Sequence, residues 1–150
     1  MYKHLDYVKA YVDGSVMNNR WGGGYVIMDP NGRIIFTDCG MGRNDIDELN
    51  AMRNISGEMS AAMHATLWID KHCGRGIIYH DYIGLSKWVT GEWDTNKTYT
   101  KLYVDFMRPF WTLDIISFQW VKGHTGNRGN EIADDLAKES ILLHKEWKEF

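Results

Sequence analysis

The sequence predicts an α/β fold: a mixed five-stranded sheet, three antiparallel strands and then parallel ones, with helices on both faces. Three observations carry this. Short alternating apolar runs, punctuated by Gly and Pro, fill the first 40 residues. A helical apolar period takes over from Ser56 to His72. Beyond it, short apolar runs alternate with helical stretches, and strands joined by helices pair in parallel through right-handed crossovers.

The elements follow in order. Tyr7–Val12 alternates, with Tyr7, Lys9 and Tyr11 facing one way and Val8, Ala10 and Val12 the other. Gly14-Ser15 and the polar turn Asn18-Asn19-Arg20 close this first strand, and Gly22-Gly23-Gly24 leads into a second, Tyr25–Met28. Asp29-Pro30-Asn31-Gly32 is a turn signal, and Arg33–Thr37 returns as a third strand. From Ser56 to His72 the apolar positions Met59, Ala62, Met63, Thr66, Leu67 and Ile69 make a helix stripe, ended by Gly74-Arg75-Gly76. Ile77–Tyr79 reads as a strand with Asp81 at its end, Leu85–Val89 as a short helix, and Tyr99–Phe110 as a longer one. Ile115–Val121 is the last strand. A glycine-bearing loop, Gly123–Gly129, leads into a helix from Asn130 to about Lys145, with Ile132, Leu136, Ser140 and Leu143 on one face.

The 150 residues suit one domain, 1–150. A hydrophobic fraction of 44%, with seven Trp and eight Tyr, excludes a disordered chain. No apolar run is long enough to span a membrane, and Met1–Asp6 lacks the apolar core of a signal peptide. Cys39 and Cys73 read as buried or free thiols of a reducing compartment. A cytoplasmic, monomeric protein without membrane association is expected.

Four acids sit where these elements end or begin. Asp13 closes the first strand and Asp81 the fourth. Glu58 and Asp134 fall in the first turns of helices. The first and fourth strands carry apolar residues of interior type, so they are expected to be neighbours, with both aspartates at one edge. Like charges at ~4 Å repel by ~4 kcal/mol at an effective dielectric of ~20. Hard divalent cations such as Mg²⁺ or Mn²⁺ prefer an all-carboxylate set of this kind. Strand-end aspartates also occur as plain turn residues, and Glu58 could be a helix-dipole partner with Ser56 as N-cap.

Longer motifs contain these acids: Tyr11-Val12-Asp13-Gly14-Ser15, Gly57-Glu58-Met59-Ser60-Ala61-Ala62, Tyr79-His80-Asp81-Tyr82, and Trp120-Val121-Lys122-Gly123-His124-Thr125-Gly126 followed by Asn130-Glu131-Ile132-Ala133-Asp134. In this order and spacing they resemble the type 1 ribonucleases H, from about Val8 to Ser140. The resemblance implies the ribonuclease H-like fold and endonucleolytic hydrolysis of the RNA strand of RNA–DNA hybrids. It also implies two Mg²⁺ ions, with Mn²⁺ as a substitute, and 5′-phosphate and 3′-hydroxyl products. By motif position Asp13 would bridge both metals, and Asp81 and Asp134 would each bind one. Glu58 would bind the other and approach a ribose 2′-hydroxyl, while His124 would assist proton transfer or product departure. Gly14, Ser15, Asn19, Asn54 and Asn130 are the implied readers of the hybrid, and Trp93 offers an aromatic face to the DNA strand.

Two departures stand out. Ile55 occupies a position where many relatives have a second Asn, and Gly91–Lys97 is short and poorly basic where some members carry a basic protrusion. The net charge of -3 is unusual for a nucleic-acid binder. Setting aside the four site acids leaves 16 acids against 17 bases, a balance of +1. Arg20, Arg43, Arg53, Lys87, Lys97, Lys101, Lys122 and Arg128 form the pool for phosphate contacts. The competing readings are a non-catalytic hybrid-binding module and a DNA-cutting nuclease on the same fold.

Overall fold

Asn18 and Asn19 both take positive φ, 53° and 60°, the pair that a two-residue type I′ turn requires. That turn makes the opening strands longer than predicted: β1 spans Val8–Met17 and β2 Arg20–Met28, paired antiparallel down to Met17 and Arg20. Asp13 therefore lies inside β1 rather than at its end, and Gly14-Ser15 is strand rather than turn. The Asp29 carboxylate accepts from the Asn31 and Arg33 amides, each at 2.9 Å, and turns the chain into β3, Ile34–Met41. The computed structural model describes residues 2–123 and 125–148.

The sheet order is β3-β2-β1-β4-β5, with β4 at Gly76–His80 and β5 at Ile116–Trp120. The β1 and β4 strands are parallel neighbours, as expected, in the register Val8 to Gly76 through Tyr11 to Tyr79. The expected mixed sheet of antiparallel and then parallel strands is observed, and its helices pack on both faces.

The first two helices are α1 (Asp47–Met52) and α2 (Asn54–His72). The α1 helix has no counterpart in the sequence prediction. Arg53 joins the two helices at φ 56° and ψ −125°, a strained conformation for a non-glycine residue. Ser56 is not an N-cap: it lies inside α2, and its hydroxyl donates to the Leu49 carbonyl at 2.6 Å. Next come α3 (Gly84–Thr90) and α4 (Thr98–Thr112). Glu48 of α1 accepts from the Thr98 and Tyr99 amides and so caps α4 from a distance.

The last helix, α5, spans Arg128–Leu142. Its buried positions are Gly129, Asn130, Ala133, Ala137, Ser140 and Ile141. Of the predicted stripe Ser140 is buried, Ile132 and Leu136 are half-buried, and Leu143 is 65% exposed, so the buried face is rotated from the expected one. Small residues win that face because α5 comes down almost onto β2. A Cβ on Gly24 would strike the Ala133 carbonyl, and one on Gly22 the Ser140 hydroxyl, while one on Gly23 would strike the Gly57 carbonyl of α2 on the other face. The triple glycine is a strand pressed between two helices rather than a lead-in to one.

The core lies between α2 and the sheet, on Val8, Ala10, Val12, Ile27, Ile78, Ala61, Ala65 and Ile69. Tyr103 of α4, 1% exposed, donates to the Leu85 carbonyl at 2.8 Å and ties α3 to α4. Both cysteines are free and buried. No helix is long and apolar enough to cross a membrane among the described residues.

Candidate active site

The parallel register sets the first two acids level. Tyr11 pairs with Tyr79, their rings stacked at 4.5 Å, so Asp13 and Asp81 each follow a paired residue by two positions. Glu58 arrives from α2. It stands in the second turn rather than the first, because α2 begins at Asn54. Ligand oxygens of Asp13, Glu58 and Asp81 lie within 4.8 Å of one another.

Burial makes this cluster expensive. Glu58 is fully buried and Asp13 is 4% exposed. Glu58 Oε1 accepts from the Asp81 amide at 3.2 Å and the Tyr82 amide at 3.4 Å, whereas Oε2 is buried with no hydrogen-bond partner among the described residues. Burial, reinforced by the Asp81 charge, pushes the Asp13 carboxyl up to about 8 despite the Gly14 amide donating to its Oδ1 at 2.9 Å. Burial, with Asp81 and Asp13 beside it, also holds Glu58 well above the ordinary carboxylate range. A cation placed among the three would oppose both shifts, because its charge favours the ionised carboxylates that burial and mutual repulsion disfavour. The donor set is all carboxylate oxygen and includes one orphaned buried oxygen. It therefore fits a hard divalent ion.

Asp134 lies outside that close group. It stands in the second turn of α5, not the first, and its carboxylate pairs with Lys138 at 2.9 Å. It is near enough for its charge to raise Asp13. Asp135 is exposed on the same helix, as expected of the solvated neighbour. His124 lies outside the described residues. The glycine before it does not: a Cβ on Gly123 would strike the Asp81 carboxylate, so this loop reaches the site.

The expected hybrid readers are dispersed. Gly14 packs against α2, where a Cβ would meet the Asn54 carbonyl and the Glu58 amide. Ser15 is 9% exposed. Asn130 is 2% exposed, its amide capped by Asn127 and its Nδ2 buried without a partner among the described residues, so it faces the interior. Asn19 lines a small cleft of about 180 Å³ with Arg20, Asn50 and Arg53. Asn54 lines a larger cleft of about 420 Å³ beside Tyr82, Trp88, Arg53 and Lys97. Trp93 is 39% exposed and stands edge-on to Tyr82 and Trp88, both at 6.4 Å. Of the expected phosphate contacts, Arg43 pairs with Asp45, Lys87 with Glu92, and Arg128 donates to the Gly32 carbonyl.

Sequence reasoning missed two groups. Fully buried His80 has its Nδ1 2.9 Å from the Tyr82 carbonyl, and so holds the turn that presents Asp81; its chain position carries no such signal. Lys138 is the i+4 partner of Asp134, a spacing visible in the sequence.

The RNase H family matches residues 6–141 of this chain. The chain belongs to the ribonuclease H family. It is 31% identical over 144 residues to the ribonuclease H of Orientia tsutsugamushi (strain Boryong), covering 87% of this chain and 79% of that protein. It is 32% identical over 154 residues to that of Bartonella tribocorum, covering 93% and 92%. RNase H1 from the halophilic archaeon Halobacterium salinarum NRC-1 superposes with a TM-score of 0.75 at 26% identity, over 91% of this chain and 98% of that one. LC11-RNase H1 in complex with an RNA/DNA hybrid shares the fold, with a TM-score of 0.69 at 13% identity, over 89% and 99%. As a family member the chain is a nuclease of the hydrolase class.

Proposed function

We propose that this ribonuclease H hydrolyses the RNA strand of RNA–DNA hybrids, with Asp13, Glu58, Asp81 and Asp134 holding two Mg²⁺ ions, for which Mn²⁺ can substitute. The observation that carries the proposal is the buried, mutually repelling group of Asp13, Glu58 and Asp81, with its orphaned Glu58 oxygen. The names of the relatives and the hybrid held by the LC11 enzyme support the choice of substrate. When bound, such ions supply charge neutralisation at the phosphorus and an activated water.

The rest falls to the chain. By its motif position Asp13 would be the ligand that both cations share. Glu58, anchored by the Asp81 and Tyr82 amides, keeps a free oxygen for a cation or a ribose 2′-hydroxyl, the group that distinguishes RNA from DNA. His124, whose role comes from its motif position, assists proton transfer or product departure. The products then carry 5′-phosphate and 3′-hydroxyl ends. Arg53 and Lys97, in the cleft beside Asn54 and Trp88, meet the phosphates of the bound duplex.

The test is incubation of labelled hybrid, duplex RNA and duplex DNA with and without Mg²⁺. The expected result is metal-dependent cutting of the RNA strand in the hybrid alone. Retention of hybrid without cutting under every metal, or cutting of duplex DNA, overturns the proposal.

A further inference from the structure

The segment after α5 turns back along the outer edge of β3. The Met41 amide donates to the Lys145 carbonyl at 2.6 Å, Glu146 bridges Met41 in parallel, and Lys145 reaches the Asp38 carboxylate and the Cys39 carbonyl. This path delivers Trp147 to the α2 side of the sheet. Its indole lies so close over Gly40 that a Cβ there would enter the ring. It also stacks on Tyr25 at 6.1 Å and on His64 at 4.0 Å.

The ring's one polar atom is directed at α2. Trp147 Nε1 donates to the Ser60 hydroxyl at 3.2 Å, and that hydroxyl donates to the Gly57 carbonyl at 2.8 Å. Gly57 precedes Glu58 and is wedged against the Gly22 carbonyl and the Gly14 Cα. Glu58 Oε1 accepts from two backbone amides, and Oε2 has no hydrogen-bond partner among the described residues. The place of Glu58 against Asp13 and Asp81 is therefore set by the pose of this α2 turn.

The geometry points to Trp147 and Ser60 as positioning residues of the cation site: the chain from the Trp147 indole through the Ser60 hydroxyl to the Gly57 carbonyl fixes the turn that carries Glu58, and so sets how tightly the carboxylates hold divalent cations. This rests on the reading that those carboxylates bind cations. A serine donating to the carbonyl three residues back is ordinary in a helix. Here the same oxygen is also taken by an indole 87 residues away in the chain.

Three variants of the full chain test it: Trp147→Phe, which keeps the stacked ring and removes the N–H; Ser60→Ala; and Ser60→Thr, which keeps the hydroxyl. Mn²⁺ affinity is read by calorimetry, and the Gly57 and Glu58 amide signals by NMR on the cation-free protein. Trp147→Phe and Ser60→Ala should each weaken Mn²⁺ binding about 10-fold, as expected when a group supporting a ligand is removed. Both should move the same two amide signals, and the double variant should lose no more than either single one. Ser60→Thr should restore binding, and the KM for hybrid at saturating cation should stay unchanged. Unaltered Mn²⁺ affinity and amide signals alongside a lowered melting temperature would make the contact merely structural and overturn the inference, as would additive losses in the double variant. Weakened Mn²⁺ binding in a protein that leaves hybrid uncut would sustain the positioning role and sink the hydrolytic reading instead.

Discussion

Asp13 faces the charges of Asp81 and Asp134 from a buried position, and only the Gly14 amide and the more distant Lys138 work the other way. An amide of the same shape relieves that repulsion but offers one oxygen where a cation needs a charged ligand. Asp13→Asn is therefore expected to abolish cleavage. It should also raise the melting temperature of the cation-free protein by about 2–4 °C, the equivalent of ~1 kcal/mol at this size. Retained cleavage would remove Asp13 from the chemistry. His124→Ala should slow single-turnover cleavage ~10²-fold or less, the range of a proton-transfer aid; complete loss would mean a larger role. The acids were legible because each lies in a short motif, although Asp13 sits inside β1 and Glu58 and Asp134 stand one turn further into their helices than expected. What was not legible is which polar residues face outward. Asn130 fits the pattern of a substrate reader, yet the phase of α5 buries it, and that phase depends on glycines of β2 more than 100 residues earlier in the chain.

The backbone contact between α2 and β2 has a sharp consequence at the scale of elements. Gly57 leaves no room for a methyl group, which would strike the Gly22 carbonyl. Gly57→Ala must push α2 away from the sheet and carry Glu58 with it. The expected cost is about 1–3 kcal/mol or somewhat more in chemical denaturation, with cleavage impaired out of proportion to the fraction unfolded. Normal activity in the folded fraction would show that Glu58 tolerates the shift. The sequence period located α2, α3 and α4 to within a few residues, because each carries its own apolar pattern. The α1 helix escaped, since it has six residues and only Met52 buried, and its Glu48 serves the start of α4. His64 of α2 is half-buried against Trp147. Burial lowers its imidazole from 6.5 to about 4. The unfolded chain then takes the proton first as the pH falls, so this stability is full above pH 6.5 and is withdrawn between 6.5 and 4. Asp13 and Glu58, whose carboxyls burial holds up, act in the opposite sense over the same window, so His64 is read from the difference between variant and parent. The melting temperature of His64→Phe should gain on that of the parent as the pH falls from 6.5 to 4; a constant difference would show that His64 contributes nothing there.

At the scale of the whole molecule the question is how a chain of net charge -3 grips a polyanion. With the four site acids neutralised by cations, the remaining 16 acids face 17 bases. Several of those bases are already engaged on the protein surface: Arg43 with Asp45, Lys87 with Glu92, Lys138 with Asp134, and Lys145 with Asp38. Arg20, Arg53 and Lys97 line the two clefts that hold Asn19 and Asn54. A footprint of about three phosphates gives a log–log salt slope near −2.7, or about 40-fold weaker binding between 50 and 200 mM salt. Arg53 lines both clefts, so Arg53→Ala should lower the magnitude of that slope by about 1 without changing which strand is cut. Measurement of KM for hybrid against salt at fixed Mg²⁺ decides the matter. A slope twice as steep would mean that cations outside these clefts carry the binding. An unchanged slope in Arg53→Ala would place the duplex elsewhere on the surface, because a guanidinium that touches a phosphate cannot be removed without giving back the counterion it displaced.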